Sequence, residues 1–203
     1  MKKARRKKPQ RQPGNTNTLR IIAGQWRGRK LSFATAPGLR PTPDRVRETL
    51  FNWLQGYLHE AHCLDLFAGS GALAFEALSR GAAHVTLIEQ HPAAIQQLTQ
   101  NIHLLKTDKA TLIQADAFDY LDQQPYPFDI IFLDPPFGKN YLPTLLKQIT
   151  EKQLLQKNGL VYLEYEQGEL PQANPDHFKT LKEKQAGKVV SRLLSPVSNS
   201  ELM

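Results

Sequence analysis

At 203 residues and 40% apolar side chains, the chain can fill one α/β domain with an appendage but is short for two full domains. No run approaches the ~18 consecutive apolar residues of a membrane-crossing helix. No apolar segment follows the basic N-terminus as a signal peptide requires, and the single cysteine, Cys63, has no partner for an internal disulfide, so a cytoplasmic protein is expected. The net charge of +7 is unevenly spread: residues 1–48 hold fourteen Lys/Arg against two acids, and the remaining 155 hold twelve against seventeen. A segment suited to a polyanion is therefore joined to a mildly acidic domain.

Residues 1–18 carry Lys2, Lys3, Arg5, Arg6, Lys7, Lys8 and Arg11 and show no periodicity. They are expected to form a disordered arm, either solubilising or polyanion-binding. Residues 19–33 predict two short strands around Gly24–Gly28, and with the Pro/Gly loop up to residue 41 they form a β-hairpin extension. The main domain is expected over 42–203. Thr42 reads as an N-cap, Pro43 as the first helical residue and Asp44 as an acid at the positive end of the dipole. Val46, Leu50, Trp53, Leu54, Tyr57 and Leu58 then line one helical face. Strands follow at Cys63–Phe67, His84–Glu89, Ala110–Ala115, Phe128–Leu133 and Leu160–Glu164. Between them, helices are predicted at Leu73–Arg80, from Pro92 to about Lys106, after Asp116, and from about Leu142 to Leu155. Nearly continuous apolar strands joined by helices predict a mostly parallel sheet covered on both faces. Phe178–Lys184 and Lys188–Leu194 flank Gly187 and read as antiparallel strands at the sheet edge.

Four features carry chemistry. The first strand of the main domain runs into Asp65-Leu66-Phe67-Ala68-Gly69-Ser70-Gly71 and then a helix. Glycines there let backbone approach a ligand, and the helix start supplies free N–H groups. Phe67, Gly69, Ser70 and Gly71 are thus candidate cofactor contacts, although Ala74 stands where a dinucleotide fingerprint has its third glycine. Asp65 suits an ammonium better than a pyrophosphate. Glu89 ends the second strand, where a carboxylate can receive the two hydroxyls of a ribose. Asp116, with Ala117, reads equally as an adenine contact and as an ordinary helix cap. Last, Phe128–Leu133 delivers Asp134-Pro135-Pro136-Phe137 to the edge of the sheet where ligands bind. The prolines stiffen the segment and turn its carbonyls outward. Asp134 and a carbonyl can hold an amino group, and Phe137 offers a face for stacking.

On these residues the chain resembles the class I methyltransferases that act on amino nitrogens, whose mark is Asp/Asn-Pro-Pro-aromatic. It is more closely similar to the bacterial small-subunit ribosomal RNA guanine-N2 methyltransferases. Arg20–Lys30, Leu39–Thr42, Asp44–Leu54 and Asp65–Arg80 carry that likeness, which spans about residues 19–195. The resemblance implies a Rossmann-like, seven-stranded sheet with an antiparallel edge strand and an N-terminal hairpin that meets RNA. It implies S-adenosyl-L-methionine as methyl donor, with Gly69, Gly71 and Glu89 at the cofactor and Asp134 as the catalytic acceptor. One guanine of 16S ribosomal RNA, in a small-subunit assembly particle, is the implied substrate. The Lys/Arg run in residues 2–11 is not part of the family pattern.

Arg20, Arg27, Arg29, Lys30, Arg40, Arg45 and Arg47 are expected at RNA phosphates. Trp26 either stacks on a base or fills the hairpin core, and Arg47 has the further option of pairing with Glu48 or with an acid of the main sheet. Adenine-N6 methylation is the nearest rival chemistry. A non-catalytic RNA-binding assembly factor is the rival of another class, and an NAD enzyme is disfavoured by Ala74. The six histidines lack metal-ligand spacing, so no metal is expected, and nothing in the sequence requires more than a monomer.

Overall fold

Two strands, β1 (Asn17–Arg20) and β2 (Lys30–Phe33), pair antiparallel in a small sheet of their own. The computed structural model describes residues 17–33, 42–123, 126–169 and 177–197. Helix α1 (Asp44–Trp53) follows the hairpin. Then come β3 (His62–Asp65), α2 (Ala72–Ser79), β4 (His84–Glu89), α3 (Pro92–Leu105), β5 (Ala110–Gln114), α4 (Ala117–Gln123), β6 (Phe128–Leu133), α5 (Leu142–Glu151), β7 (Leu155–Glu166), β8 (Phe178–Ala186) and β9 (Val189–Pro196). The main sheet has the order β5-β4-β3-β6-β7-β9-β8. Its first five strands are parallel, and β9 runs antiparallel to both of its neighbours. The reversed strand expected at the edge is therefore one position in from it, with β8 closing the edge.

Strand β6 shows why the sheet is covered on both sides: all its residues but Asp129 are buried. Ile130 and Phe132 join an apolar cluster with α1, α2, α3 and the hairpin, whereas Ile131 and Leu133 join α4 and α5 on the other face. This is the two-residue alternation of a strand, applied to two apolar faces at once. Every residue of α2 is buried, Glu76 included.

Three local expectations change. The Thr42 side chain does not cap α1, because its hydroxyl bonds elsewhere; Pro43 precedes the helix without a side-chain cap. Helix α1 ends at Trp53, leaving Tyr57 exposed, and its buried face is Arg47, Leu50 and Phe51. Helix α5 stops at Glu151 rather than running to Leu155, since Gln153 turns into the left-handed region (φ 54) and frees Leu155 to begin β7.

The hairpin is fastened to the main domain by α2. Glu76 accepts the N–H groups of Ile22 (2.8 Å) and Ala23 (3.0 Å) and pairs with Arg80 (2.7 Å) and Arg47 (3.6 Å). Ser79 accepts from Trp26 N–H (3.0 Å) through its hydroxyl and from Gln25 N–H (2.8 Å) through its carbonyl. Strand β1 begins at Asn17, inside the stretch expected as a flexible arm; residues 1–16 lie outside the described residues.

Candidate active site

The chain visits β3, β4 and β5 outward on one side and then crosses to β6 and β7 on the other. The strand order thus reverses between β3 and β6, and a crevice beyond the carboxyl ends of the strands is expected at that point. The glycine turn leaves β3 there, and Asp134-Pro135-Pro136-Phe137 leaves β6. The two segments that sequence reasoning singled out flank the same gap.

On the β3 side, Gly71 stands before α2 in the left-handed conformation (φ 76), and a Cβ on it would lie 2.3 Å from the Phe75 ring. Helix packing demands that glycine as strongly as any ligand does. Asp65 is buried and accepts the Ala74 N–H at 3.2 Å. Burial first, then the charges of Asp134 and Glu89, push its carboxyl up to about 7. Phe67 packs toward Tyr141, with ring centroids 6.4 Å apart. Ser70 is buried. Glu89 is buried too, and its carboxylate already accepts Gly69 N–H (2.9 Å), Gln90 N–H (2.8 Å) and His91 N–H (2.8 Å). Of about four acceptor positions on a carboxylate, roughly one stays open, fewer than two ribose hydroxyls need. Asp116 is exposed and caps α4 through Phe118 N–H (2.8 Å), with Ala117 buried behind it.

On the β6 side, Asp134 is half-buried and its Oδ2 accepts the Thr42 hydroxyl at 3.2 Å. Burial raises its carboxyl to about 6, against the lowering effect of that bond. Pro135 is buried; Pro136 and Phe137 are exposed. One residue went unnoticed in the sequence. Leu133 pairs in register with Leu163, so Glu164 follows on β7 beside Asp134. Glu164 is buried, and the Tyr162 hydroxyl donates to its Oε1 at 2.5 Å. Burial and then the Asp134 charge push it to about 8. The only sequence signal was an acid closing an apolar strand. The proximity to Asp134 comes from strand pairing, which no local pattern records.

The basic block divides. Arg20, Arg27, Arg29, Lys30 and Arg45 are exposed, and Arg40 lies outside the described residues. Arg47 does not reach the surface: its side chain is 1% exposed, between Asp44 (2.6 Å) and Glu76, with Nη2 also donating to the Arg20 carbonyl (2.8 Å). Nη2 carries these bonds while Nε and Nη1 are buried without a hydrogen-bond partner among the described residues, so the ion pairs with Asp44 and Glu76 hold the guanidinium inside and withdraw it from the RNA-facing set. Trp26 is buried in the apolar cluster under the hairpin, which selects core filling over base stacking. Among the described residues no group of His, Cys, Asp and Glu is arranged to hold a metal.

The family model described as conserved hypothetical protein 95 matches residues 19–195. The ribosomal RNA small subunit methyltransferase D of Haemophilus influenzae is 46% identical over 186 residues, covering 89% of this chain and 95% of that protein. The solved structure of yhhF, a proposed methyltransferase of Escherichia coli, is 45% identical with a TM-score of 0.81, covering 90% of this chain and 100% of that one. SMU.776, a proposed methyltransferase solved in complex with SAH, shares the fold alone, at 18% identity and a TM-score of 0.71 over 93% of this chain and 57% of that one. The chain belongs to the conserved hypothetical protein 95 family, together with the small-subunit ribosomal RNA methyltransferases D.

Proposed function

We propose that the protein methylates the exocyclic N2 amino group of a guanine in 16S ribosomal RNA of the small subunit, in the cytoplasm and as a monomer, with S-adenosyl-L-methionine as donor. The observation that carries this reading is the meeting of Asp134-Pro135-Pro136-Phe137 with the glycine turn across the strand-order reversal. The curated relatives' names support the substrate class.

The residues on the β3 side fit the donor. Buried Asp65 has a carboxyl suited to an ammonium, the left-handed turn at Gly69 and Gly71 brings backbone close, and Glu89 keeps an acceptor position for a ribose hydroxyl. When bound, the donor supplies an electrophilic methyl group on a sulfonium. The chain's own part is to present the amine. An aromatic amino nitrogen is a weak nucleophile because its lone pair is delocalised into the ring. Asp134 accepts one of its N–H bonds and turns the lone pair outward. The stiff diproline keeps that carboxylate from yielding, since positioning of this kind contributes up to about 7–11 kcal/mol in ideal cases. Asp134 would take the proton that the amine nitrogen sheds once the bound donor's methyl group is transferred to it and the sulfonium leaves as a neutral thioether. Phe137, 43% exposed, offers its face to a base drawn out of its stack, worth about 1–3 kcal/mol.

Asp134→Ala should abolish methyl transfer while leaving donor binding nearly unchanged. The test is mass spectrometry of nucleosides from small-subunit RNA, made in cells with the gene, without it, and with the variant. N2-methylguanosine present only with the intact gene is expected. N6-methyladenosine in its place, or turnover undiminished in the variant, would overturn the reading.

A further inference from the structure

Between α1 and the β8–β9 hairpin lies a cavity of about 170 Å³. Arg45, Thr49 and Trp53 wall it from the helix, Lys184 and Gln185 wall it from β8, and Ser191 of β9 forms part of its floor. No acid lines it. Arg45 and Lys184 are exposed and Trp53 is half-buried. Lys184 Nζ reaches across to the Thr49 hydroxyl at 2.8 Å. That hydroxyl itself donates to the Arg45 carbonyl at 2.9 Å. Two cations and an indole therefore converge on one slot in which, among the described residues, the ammonium meets a neutral oxygen.

The floor ties the slot to the site already described. Ser191 is the register partner of Glu164 on β7. Glu164 in turn accepts from Tyr162 and stands beside Asp134 on the neighbouring strand. Residues paired in register project to the same face of a sheet. The slot thus opens two strands away from Asp134, about 10 Å at ordinary strand spacing. Lysines on an edge strand commonly guard it against pairing with other sheets, and the exposed Lys182 on β8 serves that end. Lys184 differs, because it bends over the cavity to meet α1 instead of standing out from the edge.

Cations beside an aromatic ring in a narrow slot match single-stranded RNA, in which a phosphate and a base face present themselves together. We propose that this cavity binds a nucleotide adjacent to the target base, with its phosphate between Arg45 and Lys184 and its base against Trp53. The inference rests on the RNA substrate proposed above and deepens it. It places part of the recognition on the C-terminal hairpin, far along the chain from the basic N-terminal block.

The test uses the full chain and small-subunit RNA from cells lacking the gene. Binding is measured as a function of salt, and methyl transfer with tritiated donor. Arg45→Gln and Lys184→Gln should each reduce the slope of log affinity against log salt by about 0.7, the value for one phosphate on a single strand. Each should raise the KM for RNA about tenfold with a smaller change in kcat. Trp53→Leu should weaken RNA binding with no change of slope, and Trp53→Phe should restore most of it. Donor binding by calorimetry should stay at the wild-type value in all four, and Lys147→Gln, on an exposed pair of α5, should leave the slope unaltered. Wild-type slope and KM in both cation variants would overturn the inference while the wild-type protein still methylates guanine. Absence of N2-methylguanosine with the wild-type protein would instead overturn the proposed function.

Discussion

Asp65, Asp134 and Glu164 are three acids crowded at one sheet edge, and each is shifted toward its neutral form relative to a free carboxyl. Burial is the leading cause in every case. In the role proposed for it Asp134 works as the anion, so methyl transfer should fall away as pH drops through about 6. A kcat that stays level down to pH 5 would contradict that role. Stability runs the opposite way. These carboxyls titrate higher in the folded chain than their ordinary values of 3.8 to 4.5, so the native state binds more protons. Their stabilising share is complete below about pH 4 and is lost as pH rises through the folded values of about 6 to 8. Glu164→Gln keeps the shape and removes the charge. It should stabilise the fold at pH 9 by on the order of 2 kcal/mol, read as a higher melting temperature, and change little at pH 4. Equal shifts at both pH values would contradict the assignment. A carboxylate that weakens the fold above neutral pH beside Asp134 is a pattern common at functional sites.

The element that departs most from its sequence reading is the hairpin. Its two strands were expected, and its interleaved Arg and Gly residues suggested a loop given over to RNA, yet that loop's backbone is bonded to Glu76 and Ser79 of α2. Glu76 is wholly buried and answers two N–H groups and two guanidinium groups. Removing it leaves Ile22 and Ala23 N–H without their acceptor and Arg47 without its one fully buried counterion among the described residues. Glu76→Ala should cost about 3–5 kcal/mol, read as a lower urea midpoint with loss of hairpin protection in hydrogen exchange. Two glycines of the same loop separate strain from collision. Both have positive φ (82 and 83), but a Cβ on Gly24 would lie 1.7 Å from the Ser79 carbonyl oxygen, whereas one on Gly28 meets nothing within 4 Å. Gly28→Ala should cost about 1 kcal/mol, and Gly24→Ala at least about 3 kcal/mol. Similar losses in the two variants would refute the close docking of the loop on α2.

For the whole molecule, charge and topology answer different questions. The excess of cations in residues 1–48 predicts salt-sensitive RNA binding. Deleting residues 1–16 should flatten the salt dependence and leave the pH profile of methyl transfer unaltered. An unchanged slope would remove that arm from the RNA surface. The fold class was legible in the chain itself. Apolar runs such as Phe128–Leu133 can only be central strands, and Gly-Ser-Gly and Asp-Pro-Pro-Phe follow directly on such strands, so their place at the ligand edge needs only local information. Two facts were decided in three dimensions. Arg47 and Trp26 look like RNA contacts in a basic stretch, but their surroundings come from α2, some thirty to fifty residues further along, and those surroundings bury them. Glu164 looks like an ordinary strand-end acid, and only the pairing of β6 with β7 sets it beside Asp134. Periodicity and turn chemistry are written in neighbouring residues; burial and charge coupling depend on which distant strands and helices come to lie together.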